Sequence, residues 1–215
     1  TQLLERFPEA RWHQYDPVHN DNAVLGAKLA YEERVAVHYR FDQAKVVVSL
    51  DADFMGRGPG QVRYARDFAS GRNVANGPAA MNRLYAVEST PTLTGANADH
   101  RLVVRPSQVE LVARALARAL GIDAAVSETT GHEEWIAAVV RDLKHNRGAC
   151  LIVAGEQQPP VVHALALAMN DALDAMGKTV MLTEPVEMQP ESHAASIKDL
   201  AEAMNTDQVQ ALFIL

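Results

Sequence analysis

Two carboxylates, Asp51 and Asp53, stand directly behind the apolar run 45–50, Lys-Val-Val-Val-Ser-Leu. A third, Glu88, stands with the hydroxyls of Ser89 and Thr90 behind a second apolar run, 84–87. A carboxylate at the end of a buried strand can do general acid–base work, hold a cation, or accept hydrogen bonds from ligand hydroxyls. A plainer role is open too, and the residues alone favour it: Asp51 or Asp53 caps its loop or pairs with an arginine such as Arg63 or Arg66. The glycines that follow, Gly56, Gly58 and Gly60, lack the spacing of G-x-G-x-x-G and of a Walker lysine motif, so they do not make a phosphate loop.

Other reactive residue types carry less. His13, His19 and His38 match no zinc spacing and have no cysteine support, and 1–22 reads as an irregular Trp/Tyr-containing loop. Cys150, the single cysteine, sits inside the apolar run 148–156 with no activating neighbour, so it reads as a small core residue. His132 and His145 read as polar residues at helix ends. Arg63, Arg66 and Arg72 form a basic face, of a kind that is usually solvated and could also meet an anion. Met169 and Met176 read as core filler.

The elements that must position these residues alternate between strand and helix. The runs 45–50, 84–87 and 148–156 are continuously apolar and β-favouring, as in strands buried on both faces. A short strand at 102–104 is stopped by Pro106. Segment 34–41 alternates Val35, Val37, Tyr39 and Phe41 against polar or small residues, which predicts a half-exposed strand. Further strands are expected at 178–183 and at 209–215.

Helices are expected at 22–31, capped by Asn22 with Val24, Leu25 and Leu29 on one face, and at 61–70, with Val62, Ala65, Phe68 and Ala69 together and Gly71 as terminator. At 107–120, Ser107 and Glu110 have capping-box spacing. The 132–146 helix buries Trp135, Ile136, Val139, Val140 and Leu143; two more span 161–176 and 192–204, the last capped by Ser192 or Ser196. Loops fill 73–81, 88–99 and 184–191. The alternation indicates a doubly wound, mostly parallel α/β sheet with two Rossmann-like halves, 1–122 and 131–215, split at the polar stretch 122–131, the second half truncated at its C-terminal end.

Composition sets outer limits. The chain has 215 residues, 48% hydrophobic and 22% charged, which suits a globular protein with a full core. Its formal net charge of -7 argues against a nucleic-acid backbone binder. One cysteine excludes an internal disulfide and a cysteine-ligated iron–sulfur cluster within this segment. No run reaches the roughly 18 apolar residues of a membrane helix. The first residue is threonine and 209–215 ends inside an expected strand, so the chain reads as a fragment of a longer protein.

Several stretches together resemble the molybdopterin oxidoreductase family. They are Val46-Val47-Val48-Ser49-Leu50-Asp51-Ala52-Asp53-Phe54, Tyr64-Ala65-Arg66-Asp67-Phe68-Ala69, Asn82-Arg83-Leu84-Tyr85-Ala86-Val87-Glu88-Ser89, Leu93-Thr94-Gly95-Ala96-Asn97-Ala98-Asp99-His100-Arg101 and Val104-Arg105-Pro106. Within the family the likeness is strongest to the molybdopterin-like B subunits of alternative complex III, bacterial quinol:electron-acceptor oxidoreductases also labelled iron–sulfur-containing hydrogenases. It is dense over about 40–120 and thinner beyond.

The resemblance implies that the loops at 51–54 and 88–90, with Arg105, form the site for the guanosine end of a pterin dinucleotide, and that the 155–158 loop faces the same cleft. It also exposes departures. Cofactor-binding members carry a Gly-Thr-Asp-like turn after the Arg-Pro pair, and this chain has Ser107-Gln108-Val109; their Asp-Pro-Arg type of loop is Glu88-Ser89-Thr90 here. By resemblance, then, the chain is a structural segment of a subunit of a membrane-associated respiratory complex, with a degenerate pterin site at Asp51, Asp53, Glu88, Ser89, Thr90 and Arg105. No catalytic residue and no metal ligand is expected in it. Iron–sulfur clusters would lie elsewhere in the full chain, the partners would be other redox subunits, and the location would be the periplasmic side of the cytoplasmic membrane after Tat export. Two alternatives stand beside this: part of a working molybdenum oxidoreductase that binds molybdopterin guanine dinucleotide through Asp51, Asp53, Glu88 and Thr90, or a free-standing nucleotide-binding module.

Overall fold

The computed structural model describes residues 2–73, 81–125, 129–186 and 192–214. In chain order its elements are α1 (Gln2–Arg6), α2 (Asp21–Tyr31), β1 (Ala36–Tyr39), a 3-10 turn (Phe41–Gln43), β2 (Val46–Leu50) and α3 (Gln61–Ser70). Then come β3 (Arg83–Glu88), α4 (Leu93–Ala96), β4 (His100–Val103), α5 (Pro106–Ala119), α6 (Glu133–His145), β5 (Cys150–Ala154), α7 (Pro160–Ala172), β6 (Val180–Thr183) and α8 (His193–Asn205). The chain divides into two compact units, Asn22–Val186 and a smaller one of Thr1–Asp21 with Glu187–Leu215.

The larger unit is built on a four-stranded, all-parallel sheet in the order β4-β3-β2-β5. This is a doubly wound, Rossmann-like α/β fold, as the apolar runs predict. Both faces are covered because alternate side chains of the central strands point opposite ways. Val46, Val48 and Leu50 join Cys150, Ile152 and Ala154 in one core with α5, α6 and α7. Val47, Leu151 and Val153 join Phe41, Phe54 and Phe68 in the other. Each such Val, Leu or Phe removed from water contributes about 1.5–3 kcal/mol. β5, which follows the 122–131 stretch, pairs directly with β2, in register from Val46 and Cys150 to Leu50 and Ala154.

Several expected details are corrected. β6 does not extend the parallel sheet; it pairs antiparallel with β1. The outer edge of β5 is instead met by a side chain, for Asn170 of α7 accepts from Ile152 N (2.9 Å) and donates to Ile152 O (2.7 Å) as a neighbouring strand would. α2 turns its small residues inward, not its leucines: Leu25 and Leu29 are exposed, while Gly26 lies so close to His163 Cβ and Pro160 O that no Cβ fits. Val62 of α3 also faces out, and Phe68 carries that helix's buried contact. α5 begins at Pro106, one turn position before the expected Ser107, because Pro is favoured at a helix's first residue and Gln108 Oε1 accepts from the Arg105 N–H (3.0 Å). α7 ends at Ala172, short of Gly177.

In the smaller unit, Asp21 accepts from Ser192 Oγ (2.8 Å), His193 N (3.0 Å) and Ala194 N (3.1 Å), so a distant carboxylate supports the start of α8. Ser192 caps that helix by accepting from Ala195 N, as expected. The strand expected at 209–215 is not formed among the described residues; 209–214 has no ladder partner, and Phe213 and Ile214 are exposed. The loops expected at 73–81, 122–131 and 184–191 lie partly outside the described residues.

Candidate functional site

Parallel strands bring their carboxyl ends to one edge, so the segments after β2, β3, β4 and β5 meet there. The strand order reverses between β2 and β5, and this switch point is where open α/β sheets form their ligand crevice. Asp51, the residue that leaves β2, lies at its centre.

The exit of β2 is shaped locally. Ser49, a polar residue in a buried strand, donates from Oγ to Ala52 O (2.8 Å) and accepts from Ala52 N (3.1 Å). This turns the chain sharply, and Asp51 adopts a left-handed φ of 57°, a conformation that aspartate tolerates better than most residues. Its N–H donates to Val87 O (2.7 Å). The residue is 9% exposed, and its carboxylate takes three donors: Oδ1 accepts from Ser89 N (3.2 Å), and Oδ2 accepts from Gln157 Nε2 (3.0 Å) and Gln158 Nε2 (2.9 Å).

Asp53 is held by α4. Its Oδ1 accepts from Thr94 N (3.0 Å) and Thr94 Oγ1 (2.9 Å), and the same hydroxyl accepts from Met55 N (3.2 Å). Neither aspartate pairs with Arg63 or Arg66, which both approach Asp67 instead. The plainer reading, loop capping, therefore describes Asp51 and Asp53, with amide and hydroxyl donors in place of guanidinium.

Glu88 is buried at the end of β3, where its Oε2 accepts from Thr92 Oγ1 (2.6 Å) and its Oε1 pairs with Arg101 Nε. Thr92 in turn caps α4 by accepting from Gly95 N (2.9 Å), and Gly95 lies against the Glu88 carboxylate so tightly that no side chain fits. A buried carboxylate without such partners would be strongly unfavourable. Ser89 contributes its backbone N–H and is half-buried. Thr90 is exposed, and its hydroxyl makes no hydrogen bond among the described residues. Arg105 is exposed at the start of α5, with its guanidinium unpaired among the described residues.

The structure thus brings Asp51, Asp53, Glu88 and Ser89 together and leaves Thr90 and Arg105 at the rim. Gln157, Gln158, Thr92, Thr94 and Arg101 complete the site, and sequence reasoning assigned them no partners. Only the 155–158 loop carried a hint, through the family resemblance. Where the resemblance would place the guanosine end of a pterin dinucleotide, three of the roughly four lone-pair positions of the Asp51 carboxylate and two of those of Glu88 already receive protein donors, and Gly95 lies against the Glu88 carboxylate.

Elsewhere, reactive side chains are quiescent. Burial pushes the Cys150 thiol up to about 11, far from a reactive thiolate. Burial also pushes His163 of α7 down to about 4, and its Nε2 is buried without a partner among the described residues. His13 approaches Ser196 O (3.1 Å), and His38 meets Thr183 Oγ1 (3.1 Å). His132 and His145 flank α6 at its two ends, as expected. Among the described residues no group of three or more His, Cys, Asp or Glu is arranged to hold a metal ion. No described helix is long and apolar enough to cross a membrane. No protein-family model and no curated protein matches this chain.

Proposed function

We propose that this chain is a segment of a molybdopterin-oxidoreductase-like subunit of a membrane-associated respiratory quinol:electron-acceptor oxidoreductase. In this reading it keeps the architecture of a pterin dinucleotide domain and has lost the cofactor. Its role is structural: it forms a rigid sheet against which other redox subunits and iron–sulfur domains assemble, and no residue in it does chemistry. The observation that carries the reading is the state of Asp51 and Glu88. Both carboxylates stand at the strand ends of a Rossmann-like sheet, where a ligand is expected, and both are satisfied by the chain's own donors. The residue resemblance supplies the family, and the missing Gly-Thr-Asp-like turn after Pro106 agrees with the loss.

The test is purification of the full-length protein from its native membranes, with identification of co-purifying subunits and analysis of iron and molybdenum in the same sample. Redox subunits and iron without molybdenum are expected. Purification as a lone polypeptide free of iron would refute the assembly role. One molybdenum per chain would refute the loss of the cofactor and favour the working molybdenum enzyme. The unpaired Arg105 and Thr90 at the rim are the features that would serve that enzyme.

A further inference from the structure

The crevice between β2 and β5 is closed by one short loop. Gln157 Nε2 donates to Asp51 O (2.7 Å) as well as to Oδ2 (3.0 Å), Gln158 Nε2 donates to Oδ2 (2.9 Å), and Gly155 N donates to Leu50 O (2.9 Å). Gly155 lies against the Asp51 carbonyl so closely that no Cβ fits between them. Further out, Glu156 reaches over Gly58, whose φ is 85°; a Cβ there would lie 2.8 Å from Glu156 Oε1. The loops after β2 and β5 therefore touch along their length.

The chemistry of the contact is that of ligand capture. Asp51 Oδ2 receives two N–H donors from two separate carboxamides, and Gln158 is 5% exposed, so that bond is shielded from water. Hydrogen bonds to an ionised acceptor are stronger than neutral ones, and more so out of water. A small molecule with paired N–H or O–H donors would ask for the same oxygen.

We propose that the 155–158 loop is the resident occupant of the switch-point crevice. Gln157 and Gln158 take the acceptor positions on Asp51 that a ligand would take, and hold the sheet's carboxyl edge shut without one. This deepens the reading above and rests on it for the nature of the displaced ligand, though the clamp itself stands on the geometry alone.

The test is hydrogen exchange, read by mass spectrometry on the full-length protein, of the segments spanning 49–54 and 153–158. Gln158→Met removes the donor at similar volume, and Gln158→Glu sets a second carboxylate against Asp51. Protection in both segments is expected to fall by about tenfold in Gln158→Met and by more in Gln158→Glu, while β3 is unchanged. A side chain that merely fills space would not give that order. Gln157→Ala, at an exposed side chain, is expected to fold and to shift the same two segments in the same direction, which keeps the test valid where a buried variant does not fold. Unchanged protection in Gln157→Ala and either Gln158 variant overturns the clamp. So does calorimetric binding of guanosine or adenosine to the wild-type protein with a Kd below about 100 μM while both loops stay protected. Stoichiometric molybdopterin in the holoprotein would remove the degenerate-site reading, and the clamp would fall with it only if the same sample showed both loops unprotected.

Discussion

Lowering the pH should destabilise the larger unit through one residue, His163. It sits in the first turns of α7, 7% exposed, packed against Gly26 of α2, with Nε2 buried and unpartnered among the described residues. Burial disfavours its charged form and outweighs the carbonyls of Gly155 and Gln158 nearby, holding its pKa near 4 instead of 6.5. Between those values the unfolded chain binds a proton that the folded chain refuses. Stability is therefore undiminished above about pH 7 and falls as the pH drops towards 4. The interval corresponds to about 3 kcal/mol at about 1.4 kcal/mol per pH unit, a large part of a typical 5–15 kcal/mol. His163→Leu keeps an apolar side chain in the site and removes the titration. Urea unfolding from pH 7 to pH 4 is expected to show a loss in the wild type that exceeds the variant's by about 3 kcal/mol. At pH 7 the variant should be as stable as the wild type or slightly more so, since an unpaired buried nitrogen is gone. Parallel pH profiles for the two proteins would refute the reasoning.

Three further outcomes follow from the same contacts. Gly95→Ala should lower stability by about 1–3 kcal/mol, because its Cβ would strike the Glu88 carboxylate; a thermal melt equal to the wild type's would show that the carboxylate yields freely. Asn170→Leu strips the partner from both Ile152 N–H and C=O inside the core and should cost about 2–4 kcal/mol, with faster exchange of the Ile152 amide as the local readout. Asp21→Ala should destabilise α8 by about 1–2 kcal/mol. Burial raises the pKa of Asp21, but the N–H groups of His193 and Ala194 and the Ser192 hydroxyl outweigh it and hold the group below its ordinary value. The contribution is therefore complete above about pH 4 and disappears as the pH falls further, so helicity of wild type and variant should converge in acid.

The parallel sheet was legible because Lys-Val-Val-Val-Ser-Leu and its counterparts are apolar on both faces, a pattern that only a covered strand sustains. Phe68, Val140 and Leu143 were placed inward by helical spacing alone. Partnership across the sheet was not legible. Asp51 and Gln158 are 107 positions apart, and no local spacing announces their bond. α2 was turned the wrong way because spacing favours Leu25 and Leu29, whereas the close approach to α7 selects Gly26 and Ala27. The fate of β6 was hidden for a related reason. Its composition suits any sheet, and the Asn170 side chain has already taken the edge of β5 that it would have joined. At the candidate site, the carboxylates were visible from their position after apolar runs. Their engagement by Thr92, Thr94, Arg101 and the two glutamines is visible only in three dimensions.

Whether a pterin site has been kept in architecture and lost in chemistry is tested most directly by one measurement. The full-length protein, isolated from its native source, is denatured and assayed together for molybdenum by mass spectrometry and for released pterin by fluorescence. No molybdenum and no pterin above background are expected, since Asp51 and Glu88 are already engaged by the chain's own donors. Stoichiometric molybdenum with a guanine dinucleotide pterin would contradict the account.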